Sequence, residues 1–242
     1  MIRLHQKINP ERWYYHADRL GVVIFQDMVQ KYGGATNRTV PLFVEDLKRM
    51  IVDRQNHPCI VQYTTFNEGD CWQVFKTKPY DVAGIVALVQ SLDPTRLVDT
   101  DSGGDANNLH IGSVNDVHDY PNPGDPKPSS NPRQYAMIGE FGGVGAFVKG
   151  KAWKPNSCHT YLKMDTPKDE ADTYIKMAKT IQSRVDHISA SVYTQTTDVE
   201  LECDGFLNYD RTNKFTDADT ARIKAANQAI IHASQLNNTV RL

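Results

Sequence analysis

Runs of apolar residues alternate along the chain between a strand-like and a helix-like spacing. Val22-Val23-Ile24-Phe25 is a continuous apolar run, the pattern of a parallel strand covered on both faces. Ahead of it, residues 2–7 read as a strand and 10–20 as a helix, with Pro10 suited to the first turn and Gly21 to the stop. Leu42, Val44, Leu47, Met50 and Ile51 fall near one face of a helix over 41–56, which His57-Pro58 ends. Further strands are expected at 59–66, 96–100, 116–119, 135–140 and 188–194, and further helices at 81–92, 168–185 and 217–236. With 22–26, that makes seven strands, and their alternation with helices predicts a parallel sheet. Two long polar segments, 120–132 and 142–167, follow strand C-termini, and loops of that length in a compact domain usually carry function.

Polar residues gather where the strands end. They are His5, Asp27, Asn67, Glu68, Asp99, Ser102, His118, Tyr120, Glu140, Thr194 and Gln195. In a barrel of parallel strands these positions would converge on the C-terminal face, where such folds keep their chemistry. Two of the strands end on glutamates. A pair of carboxylates suits glycoside hydrolysis, in which one is protonated to donate to the leaving oxygen and the other is ionised beneath the anomeric carbon. The rival reading is a metal site, but the histidines are dispersed and form neither an H-E-x-x-H nor an H-x-H pair. Neither a metal nor a cofactor is expected.

Composition narrows the partners. A net charge of −2, with lysines and arginines scattered singly, gives no reason to expect nucleic acid or an anionic membrane. No stretch approaches the length of a membrane span, and the N-terminus has no apolar signal core. Cys59, Cys71, Cys158 and Cys203 form no C-x-x-C pair, and in a chain of this length they fit buried thiols.

The segments "IVQYTTFNEGDCW" and "YAMIGEFGG" resemble the two signature regions of glycoside hydrolase family two, which includes β-galactosidases, β-mannosidases and β-glucuronidases. "RLHQKINPERWYYHADRLGVVIFQDM" is similar to that family's second and third barrel strands, and "VYTQTTDVELECDGFLNYDR" to its eighth-strand region. The resemblance runs over almost the whole chain, in order. It implies an α/β fold, a (β/α)8 TIM barrel without its first strand, spread over residues 1–242 as one partial catalytic domain. It implies a retaining, β-galactosidase-like glycosidase acting on a carbohydrate β-glycoside. Glu68 would be the general acid/base and Glu140 the nucleophile, and Asn67 would hold the hydroxyl beside the reacting carbon.

His5, His118 and Tyr120 would line the sugar pocket, with Asp99, Tyr193 and Gln195 also at the substrate. Trp72 and Trp153 are sugar-platform candidates, since both lie in loops after the catalytic strands. Family members normally carry a sugar-binding β-sandwich and an immunoglobulin-like domain before the barrel. The chain is therefore expected to associate with such a part or with a second copy. The competing expectation is a truncated, non-catalytic barrel or a protein that only binds carbohydrate.

Overall fold

The computed structural model describes residues 1–29, 36, 38–69, 80–154 and 156–240. The elements are β1 (Ile2–Leu4), α1 (Glu11–Leu20), β2 (Ile24–Asp27), α2 (Thr39–Arg54), β3 (Ile60–Thr64), α3 (Val82–Leu92), β4 (Leu97–Asp99), β5 (Val114–Asp119), β6 (Tyr135–Gly142), β7 (Val144–Ala146), β8 (Leu162–Met164), α4 (Pro167–Gln182), β9 (Ile188–Thr194) and α5 (Asp217–Val240). A short 3-10 helix spans Asp105–Leu109. Seven of the nine strands are those expected from the sequence. The other two, β7 and β8, pair in parallel inside a segment expected to be a loop. They are short and lie within the long polar segment 142–167.

The chain divides into two compact units: residues 1–117 with 128–137, and residues 118–127 with 138–242. In the first, β1-β2-β3-β4 form a parallel sheet in sequence order, joined by helices. The register pairs Leu4 with Gln26, Asp27 with Thr64, and Thr64 with Asp99, so the C-terminal strand ends lie side by side. That is what aligns the polar residues following each strand. Tyr14, Leu47, Ile51, Ile60, Tyr63, Val89 and Val98 form the core beneath, all but excluded from solvent. Helix boundaries follow local chemistry. Gly21 ends α1 at φ 67° and returns its amide to Ala17 and Asp18, as the sequence predicts for a left-handed stop. Asp81 caps α3 by accepting the Gly84 amide.

Strands β5 and β6 begin in the first unit and end in the second, and the three-stranded sheet has the order β5-β6-β9. The described strands thus fall into sheets of four, three and two, and no continuous ring of strands forms among them. In the second unit, Ile138, Phe141, Val144, Ala171, Met177, Ile181 and Ile188 make the core. Beside them the rings of Tyr193 and Phe206 stack at 4.5 Å. Helix α4 opens on Thr166, whose hydroxyl accepts the Asp169 amide, with Pro167 in the first turn. The Gly142-Gly143 pair is a packing requirement. Both have positive φ, and a Cβ would collide with Tyr193 at Gly142 and with Tyr161 at Gly143.

The cysteines depart from the thiol expectation. Cys59 is a buried thiol, but Cys158 and Cys203 are disulfide-bonded, their Cα atoms 5.6 Å apart. The backbone already brings these two segments together through the parallel bridge His159–Glu202, and sequence spacing carries no signal for a pairing of cysteines 45 positions apart. Cys71 lies outside the described residues.

Candidate active site

In the first unit the β3–β4 ladder continues past both strands. Ser102 donates its amide to the Phe66 carbonyl and accepts the Glu68 amide at 2.9 Å each, with Asn67 and Ser102 bridged in parallel. The Gly69 amide donates to Asp101 at 3.0 Å. Glu68 itself sits at φ 51°, a left-handed conformation that costs a non-glycine residue about 1–3 kcal/mol and is held only where surroundings over-determine it. The hydrogen bonds on both sides of it do that here.

Asn67 is 2% exposed, and its side-chain oxygen accepts from Arg3 Nη2 at 2.8 Å. The same guanidinium forks onto Asp27, with Nε 3.1 Å from both carboxylate oxygens and Nη2 2.8 Å from one. His5 Nδ1 lies 3.3 Å from Asp27. Burial alone would push Asp27 up, but Arg3 and His5 together hold it below its ordinary value. Arg3 was not singled out from sequence, although the signal was there. It sits two residues before His5 on a strand, and positions i and i+2 share a face.

Asp99 behaves differently. It is fully buried, and neither carboxylate oxygen accepts a conventional hydrogen-bond donor. Its neighbours are Asp116 from β5, Arg3 from β1, Asp27 from β2 and, through its own raised hydroxyl, Tyr135 from β6. Asp116 in turn accepts the Ser102 hydroxyl at 2.5 Å. Burial first, and then the Asp116 charge, raise Asp99 well above its ordinary 3.8, and Arg3 offsets only part of this. A folded state that keeps a proton the unfolded chain releases loses stability as pH rises above that ordinary value. Asp99→Asn is therefore expected to raise the melting temperature at pH 7.5 by about 3–6 °C. The gain should vanish near pH 4, and an equal gain at both pH values would refute this assignment.

In the second unit, Glu140 stands near the end of β6 and is met by β5 and β9 residues. The Tyr120 hydroxyl donates to Glu140 Oε2 at 2.6 Å, and the tyrosine oxygen lies 2.7 Å from Thr194 Oγ1. A tyrosine has one proton to give and a carboxylate only accepts, so the Thr194 hydroxyl donates to Tyr120. Burial and then the Glu140 charge hold the Tyr120 hydroxyl far above its usual titration, so it stays a donor. Tyr161 stacks on the Tyr120 ring at 4.0 Å and 11°, and its amide donates to the Gly143 carbonyl. His118 Nδ1 is 3.6 Å from Glu140 Oε2. The arrangement presents an acceptor whose lone pairs are oriented by a protonated phenol and a nearby imidazole.

The other expected site residues are placed as follows. Tyr193 packs among Phe141, Tyr174 and Phe206 and donates its hydroxyl to the Val144 carbonyl at 3.0 Å. Gln195 donates to Glu202 and Asp204 at 2.8 Å each. Trp72 lies outside the described residues. Tyr161 was not legible from sequence, because it enters from the long segment where only a loop was expected.

Residues 8–123 match the family "Glycosyl hydrolases family 2, TIM barrel domain". No curated protein matches the sequence. Among solved structures, the chain is similar to a GH2 beta-galacturonidase from Eisenbergiella tayi bound to galacturonate, with a TM-score of 0.66 and 19% identity, over 94% of this chain and 45% of that one. It is similar to a beta-D-glucuronidase of Dictyoglomus thermophilum, with a TM-score of 0.68 and 15% identity, over 93% and 44% of the two chains. An FMN-binding beta-glucuronidase from Facaelibacterium prausnitzii L2-6 gives a TM-score of 0.69 and 20% identity, over 92% and 38%. At these identities the likeness concerns the fold, and this chain spans less than half the length of each. Over residues 8–123 the chain is similar to glycoside hydrolase family 2, through that family's TIM-barrel domain.

Proposed function

We propose that residues 1–242 act together as the catalytic part of a retaining β-glycosidase, with Glu140 as nucleophile and Glu68 as general acid/base. The observation that carries this reading is the environment of Glu140, a carboxylate on a strand that accepts a hydrogen bond from a half-buried, protonated tyrosine. Glu140 would attack the anomeric carbon to form a covalent glycosyl-enzyme while Glu68 protonates the leaving oxygen. Glu68 would then deprotonate the water that releases the sugar with its configuration retained. The two carboxyl groups are expected about 5–5.5 Å apart, too close to admit a water between nucleophile and sugar. Tyr120 would keep one Glu140 oxygen occupied and leave the other to attack. Asn67, held by Arg3, would meet the neighbouring hydroxyl, and His5 and His118 would line the pocket.

The substrate is proposed as a β-galactoside-like sugar, and the names of the similar structures make β-glucuronides and β-galacturonides the next to try. A panel of nitrophenyl β-glycosides with proton NMR of the first-formed anomer tests this. Release of the β-anomer is expected, and release of the α-anomer would exclude double displacement. The second reading, carbohydrate binding without turnover, is favoured by the division of the strands into three sheets. Saturable sugar binding with no turnover of any panel member would support it.

A further inference from the structure

Two loops of the second unit, one after β7 and one after β9, bring their tips together. The first holds Trp153, which is 51% exposed. The second holds Tyr209, whose ring centre is 5.1 Å from that of Trp153 at an angle of 54°. Half of the largest apolar side chain is thus left in water at the cost of its burial energy, while the other half is fixed against a second ring. Both mounts are stiff. Lys154 and Ser157 form an antiparallel bridge just after Trp153. Tyr209 lies in a tight turn in which the Asn208 amide donates to the Thr212 carbonyl, the Arg211 amide donates to the Asn208 carbonyl, and Asp210 accepts both the amide and the hydroxyl of Thr212. Lys151 and Asp210 join the two loops by an ion pair of 2.5 Å.

The charge carried by the two loop tips in sequence is one-sided. Lys149, Lys151, Lys154 and Arg211 stand against Asp210 alone in segments 149–154 and 209–211. The Arg211 guanidinium carbon is 6.0 Å from the Tyr209 ring centre. An exposed, pre-positioned aromatic face suits the C–H face of a pyranose, and surplus cations beside it suit a carboxylate. We propose that Trp153 and Tyr209 form a subsite for a uronic acid residue of a carbohydrate chain, its ring on Trp153 and its carboxylate toward the lysines. This rests on the carbohydrate reading above and adds a binding position to it.

The test is tryptophan fluorescence of the full chain titrated with methyl β-D-glucopyranosiduronic acid and with methyl β-D-glucopyranoside, which differ only in the carboxylate. A saturable change is expected with the uronate at about tenfold higher affinity than with the neutral sugar, weakening at high salt. Trp153→Ala should remove the change and Trp153→Phe should preserve binding measured by calorimetry. The triple replacement of Lys149, Lys151 and Lys154 by serine should level the two sugars. Circular dichroism melts of each variant report folding, which an exposed side chain should not disturb. An unaltered fluorescence change in Trp153→Ala, equal affinity for the two sugars, or an equally strong response to an oligothymidylate would overturn the proposal. Glu140→Gln should leave the response intact. A chain that hydrolyses no β-glycoside yet responds to the uronate keeps the subsite and loses the catalytic reading, and the converse result loses the subsite alone.

Discussion

Glu140→Ala is expected to reduce turnover of every aryl β-glycoside by at least about 10⁴-fold, whatever the leaving group. Without the carboxylate no glycosyl-enzyme forms, and a better leaving group does not replace the missing nucleophile. Glu68→Ala should behave differently. With a poor leaving group the first step fails for want of an acid, but a nitrophenolate leaves unprotonated, so that step is spared. The glycosyl-enzyme then waits for a base, and azide, which needs none, should restore turnover and yield the β-glycosyl azide. Glu68 lies four residues past β3 and Glu140 lies within β6, and the comparison separates their chemical roles. If both variants lost activity equally with nitrophenyl substrates and azide rescued neither, the assignment of roles would fail.

Lys214→Met is expected to lower stability by about 3–5 kcal/mol, the cost of leaving a buried charge without its partner. For a chain of this size that is a fall of about 6–20 °C in melting temperature. Lys214 has no exposed side-chain surface, and its ammonium reaches Asp198 at 2.9 Å, the Cys203 carbonyl at 3.0 Å and Glu170 at 3.6 Å. Which carboxylate is the counter-ion follows from burial. Desolvation pushes Glu170 up to about 8, against the lowering effects of Lys214 and the Ala146 amide, so at pH 7 it is mostly protonated. Asp198 is the nearer carboxylate to Lys214, and it also accepts the Gly205 amide at 2.9 Å, fixing the loop that follows Thr194.

Glu170→Gln should consequently cost no more than about 1 kcal/mol at pH 6. Because the folded state binds a proton there that the unfolded chain has lost, wild-type stability declines as pH climbs from the ordinary 4.5 toward 8. The Gln variant should gain relative to wild type over that range. Thermal melts of both variants at pH 6 and pH 9 check this. A Lys214→Met protein melting with the parent, or a Glu170→Gln protein losing ground at pH 9, would reject it.

Much of this was legible because local chemistry sets local structure. The Val22–Phe25 run, the Gly21 stop, the polar strand ends and seven of the strands each follow from backbone preference and side-chain period, which neighbours in sequence decide. That Gly142 and Gly143 make room for Tyr193 and Tyr161 was not legible there. Only the tertiary structure decided that Arg3 clasps Asp27 and Asn67, that Thr194 donates to Tyr120, and that Cys158 meets Cys203. It also decided that Asp99 is driven into a buried carboxylate pair while Lys214 becomes the charge on which a loop is built. These pairings join residues 16 to 74 positions apart. The energy of a buried charge or hydrogen bond depends on what surrounds it in space, and the order of residues carries no record of that until the strands are laid side by side.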